Sequence, residues 1–203
     1  MKRLSGILII GALCVFGACN SSSNKTDSVD SANEMNAKKD TTSNMMNNDT
    51  TTTSMSGPVE KKDADFAVDA ADGGMMEVQL GQYAAQNAMD QRVKDFGTMM
   101  VQDHSQANDK LKSLASQKNI TLPASVSNDK MNHMNDLMKK KGKDFDKAYV
   151  NMMVDDHKKD IKKFEEEAKD GKDADVKSFA SATLPTLYKH LDSIQAIKKG
   201  KNY

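Results

Sequence analysis

The chemistry available to this chain is concentrated in three histidines and one glutamate. Two of the four His end matching hexapeptides, Met99-Met100-Val101-Gln102-Asp103-His104 and Met152-Met153-Val154-Asp155-Asp156-His157, at a constant offset of 53 residues. An aromatic residue stands eight positions before each, Phe96 and Tyr149. His190 and Glu77 interrupt two further stripes of apolar residues in the same way. Imidazole and carboxylate are ordinary ligands of zinc, copper, iron and manganese, so Glu77, His104, His157 and His190 are the candidate metal ligands and one divalent metal is the candidate cofactor. Without a metal, the same groups would form a buried hydrogen-bonded network, because an unpaired carboxylate in an apolar core is costly. His133, on a connecting segment, faces solvent in this reading.

Four long helices must carry these groups. Ala, Leu, Met, Lys and Gln are abundant, strand-like alternation is absent, and the whole chain has three Pro, so an all-α domain is predicted. The first helix spans about 65–87, and its glycines imply close approach of a neighbour. The second spans about 90–118. A shorter amphipathic piece, about 127–140, presents Met131, Met134, Leu137 and Met138, with Gly142 as its stop. The third long helix covers about 145–169 and the fourth about 173–198, with a kink or break expected near Ala182 because Pro185 lies inside it. Two hairpins joined by a long crossover describe a ferritin-like four-helix bundle with a short extra helix in the crossover.

Heights along the helices decide whether the polar groups can meet. Glu77 and His104 each lie about 20 Å from the turn that joins their helices, at 1.5 Å per residue. His157 stands about 21 Å from the second turn and His190 about 22–29 Å. Antiparallel packing of the two hairpins then brings all four to the middle. Asp103 and Asp156 point about 100° away from the His that follows each of them and are flanking groups, suited to orienting a ligand from behind.

Several chemistries are disfavoured. A carboxylate di-iron centre needs Glu-x-x-His on two helices, but Val101, Val154 and Leu187 occupy the positions three before the His. Met100 and Met153, one turn before their His, could offer thioether sulfur to copper, although Met at this spacing ordinarily fills a core. Glu165-Glu166-Glu167 reads as a solvated helix face. No catalytic residue is assigned, since no Ser-His-Asp set, phosphate-binding glycine loop or nucleophilic Cys is visible. Lys plus Arg and Asp plus Glu both count 29 and are interleaved, so no nucleic-acid surface is expected.

The N-terminal third follows a different logic. Lys2 and Arg3 precede an apolar run, Ile7 to Phe16, and then Gly17-Ala18-Cys19. That is the layout of a secretory signal peptide, too short to span a bilayer as a helix. Phe16-Gly17-Ala18-Cys19 resembles a lipobox, so residues 1–18 are read as a signal of the lipoprotein type and Cys19 as the lipidation site. Residues 19–62, rich in Ser, Thr, Asn and Asp, are expected to be a disordered tether with a reach of roughly 35 Å. The bundle occupies 63–200. The expected partner is a membrane, through the lipid on Cys19, and the expected location is the cell envelope: the outer membrane, with the bundle in the periplasm.

Phe66-Ala67-Val68, Gly73-Gly74-Met75-Met76-Glu77-Val78-Gln79-Leu80-Gly81 and Val93-Lys94-Asp95-Phe96-Gly97, with the hexapeptide ending at His104, resemble the bacterial family called domain of unknown function 4142. Gly142-Lys143-Asp144-Phe145-Asp146, the stretch ending at His157, and Leu184-Pro185-Thr186-Leu187-Tyr188-Lys189-His190-Leu191 extend the likeness over about residues 63–197. Members are often labelled outer-membrane proteins. The resemblance implies an exported ferritin-like bundle and no defined activity. The leading expectation is an envelope protein binding a divalent metal in its core, for metal handling or envelope stress. The alternatives are a structural or interaction module without metal and a ferritin-like redox enzyme.

Overall fold

The computed structural model describes residues 26–46 and 59–201, with only the backbone of 40–46. The signal segment and Cys19 lie outside the described residues. Six helices follow in order: α1 (Ser28–Met46), α2 (Lys61–Asn87), α3 (Gln91–Gln117), α4 (Asn128–Met138), α5 (Gly142–Asp170) and α6 (Ala174–Lys201). The pairs α2–α3 and α5–α6 form hairpins, closed into a four-helix bundle by contacts of α3 with α6 and α2 with α5. The short α4 lies in the crossover, as the sequence predicts. No described helix is long and apolar enough to cross a membrane.

Small residues set the closest helix approach. A Cβ on Gly97 would lie 2.6 Å from the Gly81 carbonyl oxygen, and one on Gly81 would lie 2.7 Å from that of Gly97. Only glycine at both positions lets α2 and α3 touch backbone to backbone. Two buried aspartates then hold the turns, each reaching across from the opposite hairpin. Asp146 of α5 accepts from Met89 N at 2.9 Å and Asp90 N at 2.7 Å, in the α2–α3 turn. Asp63 of α2 accepts from Lys172 N and Asp173 N, in the α5–α6 turn. This exchange is the pseudo-twofold relation implied by the hexapeptide repeat, and it satisfies amides at the helix starts that the backbone leaves without partners.

The apolar core is in two parts. One gathers Leu80, Phe96, Met100, Tyr149, Met153 and Ile194, the other Ala67, Leu111, Ile161, Phe164, Val176 and Leu187. On every long helix the candidate polar residue stands between them: Glu77 between Ala71 and Leu80, His104 between Met100 and Leu111, His157 between Val154 and Ile161, His190 between Leu187 and Ile194. The bundle thus carries one polar layer between two apolar ones.

Four local expectations are corrected. Part of the segment read as a tether is helical: α1 packs on α2. The Asn36 side chain accepts from Thr121 N at 2.7 Å and donates to Thr121 O at 2.9 Å, and Ala32 is buried. These long-range contacts supply what the polar composition of α1 cannot. α6 runs through Pro185 without a break; that residue is exposed, so its ring meets solvent instead of a packed neighbour. Thr183 Oγ1 also donates to Phe179 O, a side-chain bond within the preceding turn. Gly142 opens α5 at φ 54° instead of closing α4, which ends at Met138. Met131 is 42% exposed, not inward, since α4 buries only Met134 and Leu137.

Candidate metal centre

The four predicted groups converge. His157 and His190 are fully buried, and Glu77 and His104 are 2% and 6% exposed. The imidazole centroids of His104, His157 and His190 lie 5.1–5.8 Å apart. One ring nitrogen from each of the three falls within 4.8 Å of the others. Phe96 contacts His157 and His190 edge-on and links them to Tyr149. Phe96 thus covers two of the three imidazoles on one side.

Hydrogen-bond partners fix which nitrogen of each ring carries a proton. His157 Nδ1 lies 2.9 Å from Met153 O. A carbonyl only accepts, so Nδ1 donates and Nε2 holds the lone pair. His190 Nε2 lies 2.9 Å from Asp103 Oδ2, which puts the proton on Nε2 and the lone pair on Nδ1. His104 Nδ1 lies 3.0 Å from Glu77 Oε2, and its Nε2 has no hydrogen-bond partner among the described residues. Three imidazoles are therefore oriented from behind by a carbonyl and two carboxylates. The distance from His157 Nε2 to His190 Nδ1 is 3.3 Å, which sets two lone pairs face to face.

Electrostatics separates the three rings. Burial pushes His157 down, against the opposing pull of Glu77. Burial holds His190 at about 4, reinforced by the charges of His104 and His157 and opposed by the Asp103 bond. For His104 burial is overcome by the Glu77 carboxylate beside it, and its pKa rises. Burial would lift Glu77, but His104 and His157 outweigh it and hold the carboxyl at about 2. At neutral pH Glu77 is ionised and His157 and His190 are neutral, and the Glu77 carboxylate favours the protonated form of His104.

Glu77 is brought to the cluster in a different position from the three histidines. Its Oε2 faces His104 Nδ1, and its Oε1 lies 3.5 Å from His157 Nδ1 and makes no hydrogen bond. It therefore contacts the two rings on their protonated sides. Asp103 takes the orienting position expected from its place beside His104, but it orients His190, on another helix. Asp160 was not singled out by its residue type. It lines a small cavity with Glu77 and His104, and burial together with the charges of Glu77 and Asp156 raises it to about 7. Its signal was present as His157-x-x-Asp160, a spacing that stacks both residues on one helix face.

The sequence matches the model of a family described as domain of unknown function, DUF4142, over residues 48–197. No curated protein matches the chain. Among solved structures, the fold is similar to that of a DUF305 fragment from Deinococcus radiodurans, with a TM-score of 0.61 and 8% identity. The alignment covers 69% of this chain and 97% of that one. At that identity the likeness speaks for the helical-bundle fold alone.

Proposed function

The chain belongs to the DUF4142 family of domains of unknown function, and we propose that this member binds one divalent transition metal through His104 Nε2, His157 Nε2 and His190 Nδ1. The observation that carries the reading is the pair of lone pairs 3.3 Å apart on His157 and His190, each kept bare by an acceptor behind its ring. Facing lone pairs repel, and a cation between them turns repulsion into ligation. The unpartnered Nε2 of His104, on giving up its proton, completes a three-imidazole set.

The groups behind the rings support the same reading. Metal-bound His ordinarily donates its other ring N–H to a carbonyl or carboxylate, and all three rings have such a group behind them. Glu77 and Asp103 together carry two negative charges, which match a divalent ion held by neutral imidazoles. Imidazole ligands suit zinc and copper better than magnesium or calcium. Glu77 acts here as an orienting carboxylate and charge partner.

A second reading replaces the metal by a proton shared between His157 and His190. The Glu77–His104 contact, self-contained as an ion pair, favours it. The discriminating experiment is titration of chelator-stripped protein with Zn2+, Cu2+, Mn2+ and Fe2+, following bound metal and released protons. One metal per chain, lost in His157→Ala and His190→Ala variants that keep their helicity, is the expected result. Failure of all four metals to bind would overturn the proposal and leave the proton network.

The proposal includes the cell envelope as the site of action, supported by the lipobox-like Phe16-Gly17-Ala18-Cys19. Replacing Cys19 with Ala should move the protein from the membrane fraction to the soluble fraction. Unchanged membrane association would remove the lipid anchor from the account.

A further inference from the structure

A buried metal site needs a way in, and a path from the surface is visible beside α4. A cavity of about 30 Å³, the size of one or two waters, touches Glu77 and His104. Next to it lies a larger cleft of about 350 Å³, bordered by Ser127, Asp129 and Lys130 of the crossover and by Asp156 and Lys159 of α5. Gly73 and Asp160 line both spaces. These two residues stand between the surface cleft and the polar layer, at a narrow neck.

The neck has unusual chemistry for a helix contact. A Cβ placed on Gly73 would meet nothing within 4 Å, so this glycine leaves open space where α2 could have carried a side chain. Its neighbours Gly74 and Gly81 instead press on Asn108 and on the α3 backbone. Lysines at the outer rim are each engaged: Lys130 with Asp72 at 3.5 Å, Lys163 with Asp69 at 2.6 Å, and Lys159 with Asp156 Oδ1 at 3.8 Å. Deeper in, one oxygen of each carboxylate is left over. Asp156 Oδ2 is buried without a hydrogen bond, and so is Glu77 Oε1 at the inner end.

We propose that this neck is the entrance for a divalent cation, with Asp160 as the carboxylate that receives the ion from the cleft and Gly73 as the gap that lets it pass to the three histidines. The inference rests on the metal reading above. A cation leaving water can exchange hydration for carboxylate oxygens on the way to imidazole, and carboxylates between low-dielectric walls concentrate that ion once the rim lysines are paired. Asp156, Asp160 and Glu77 supply three carboxylates in order from the cleft inward. The neck then governs how fast metal enters and leaves, while the imidazoles govern how tightly it is held.

The test is kinetic. Zn2+ uptake and release by the full chain in detergent are followed by stopped flow with a chromophoric chelator, alongside equilibrium competition. Gly73→Leu fills the neck and is expected to slow uptake and release by the same factor, tenfold or more, with Kd unchanged within about twofold. Gly73→Ala, which has room for its methyl, should slow both much less. Asp160→Asn should slow uptake several-fold and weaken its dependence on ionic strength. If Gly73→Leu does not fold, Asp160→Asn decides alone. Wild-type rates in the folded variants, with metal still bound, would overturn the entrance and leave the metal site standing. Absence of Zn2+ binding in the wild type would instead count against the site itself.

Discussion

Removing Asp103 should weaken metal binding although Asp103 touches no metal. Its Oδ2 holds the proton on His190 Nε2 at 2.9 Å and so keeps the Nδ1 lone pair pointed at His157. In Asp103→Ala the ring is free to move its proton to Nδ1, and that tautomer offers no lone pair to the site. The ring also loses the negative charge that makes it a better donor. Loss of such an orienting carboxylate typically costs 10–100-fold in affinity, or about 1.4–2.7 kcal/mol. Asp103→Asn should cost less, because an amide oxygen still accepts from Nε2–H. Lys189→Ala, which removes the rim cation 3.5 Å from Asp103, should leave affinity nearly unchanged. The assay is competition with a chromophoric chelator at pH 7.5, with helicity checked by circular dichroism. An Asp103→Ala Kd within twofold of wild type, while His190→Ala abolishes binding, would refute the claim that the carboxylate selects the tautomer.

Further outcomes follow from the same geometry. Metal must displace the Nε2 proton of the His104 imidazolium that Glu77 favours from the Nδ1 side, whereas His190, at about 4, and His157, also lowered, are already free. Affinity should therefore fall as pH drops through the raised His104 value, with close to one proton released per metal; a slope of zero in a potentiometric titration would contradict this. Gly97→Ala should force α2 and α3 apart, since the new methyl would lie 2.6 Å from Gly81 O. A loss of about 2 kcal/mol, or roughly 5–10 °C in Tm, is expected by thermal melting, with no loss in Gly73→Ala. Glu167 is 2% exposed and departs from the solvated face expected for Glu165-Glu166-Glu167, and burial with the nearby Asp63 charge raises it from 4.5 to about 7. Its folded form binds a proton that the unfolded chain releases between those values, so the stabilisation is present below pH 4.5 and lost as pH rises through 7. Glu167→Gln should remove that loss, worth about 3 kcal/mol at most, seen as a flatter dependence of denaturant midpoint on pH between 5 and 8.

The four long helices, their order and the convergence of Glu77, His104, His157 and His190 were legible in the sequence because each depends on local regularities. Apolar periodicity sets which face of a helix turns inward, and rise per residue sets height above a turn. The hexapeptide repeat added the pseudosymmetry, and the glycines of α2 announced a close neighbour. What periodicity could not assign is which atom faces which. The acceptor behind each imidazole is a carbonyl one turn back or a carboxylate on another helix, and a shift of an ångström would select a different tautomer. The same holds for Asp146 and Asp63, whose value lies in turns 56–57 and 109–110 residues away along the chain. It holds as well for α1, whose polar composition predicts no order until Asn36 meets Thr121. Sequence alone thus determined that three imidazoles and a carboxylate share one layer of a helical bundle. Only the tertiary structure decided that the carboxylate stands behind the rings and that their lone pairs face one another, because hydrogen-bond direction is a property of packed atoms and leaves no period in the chain.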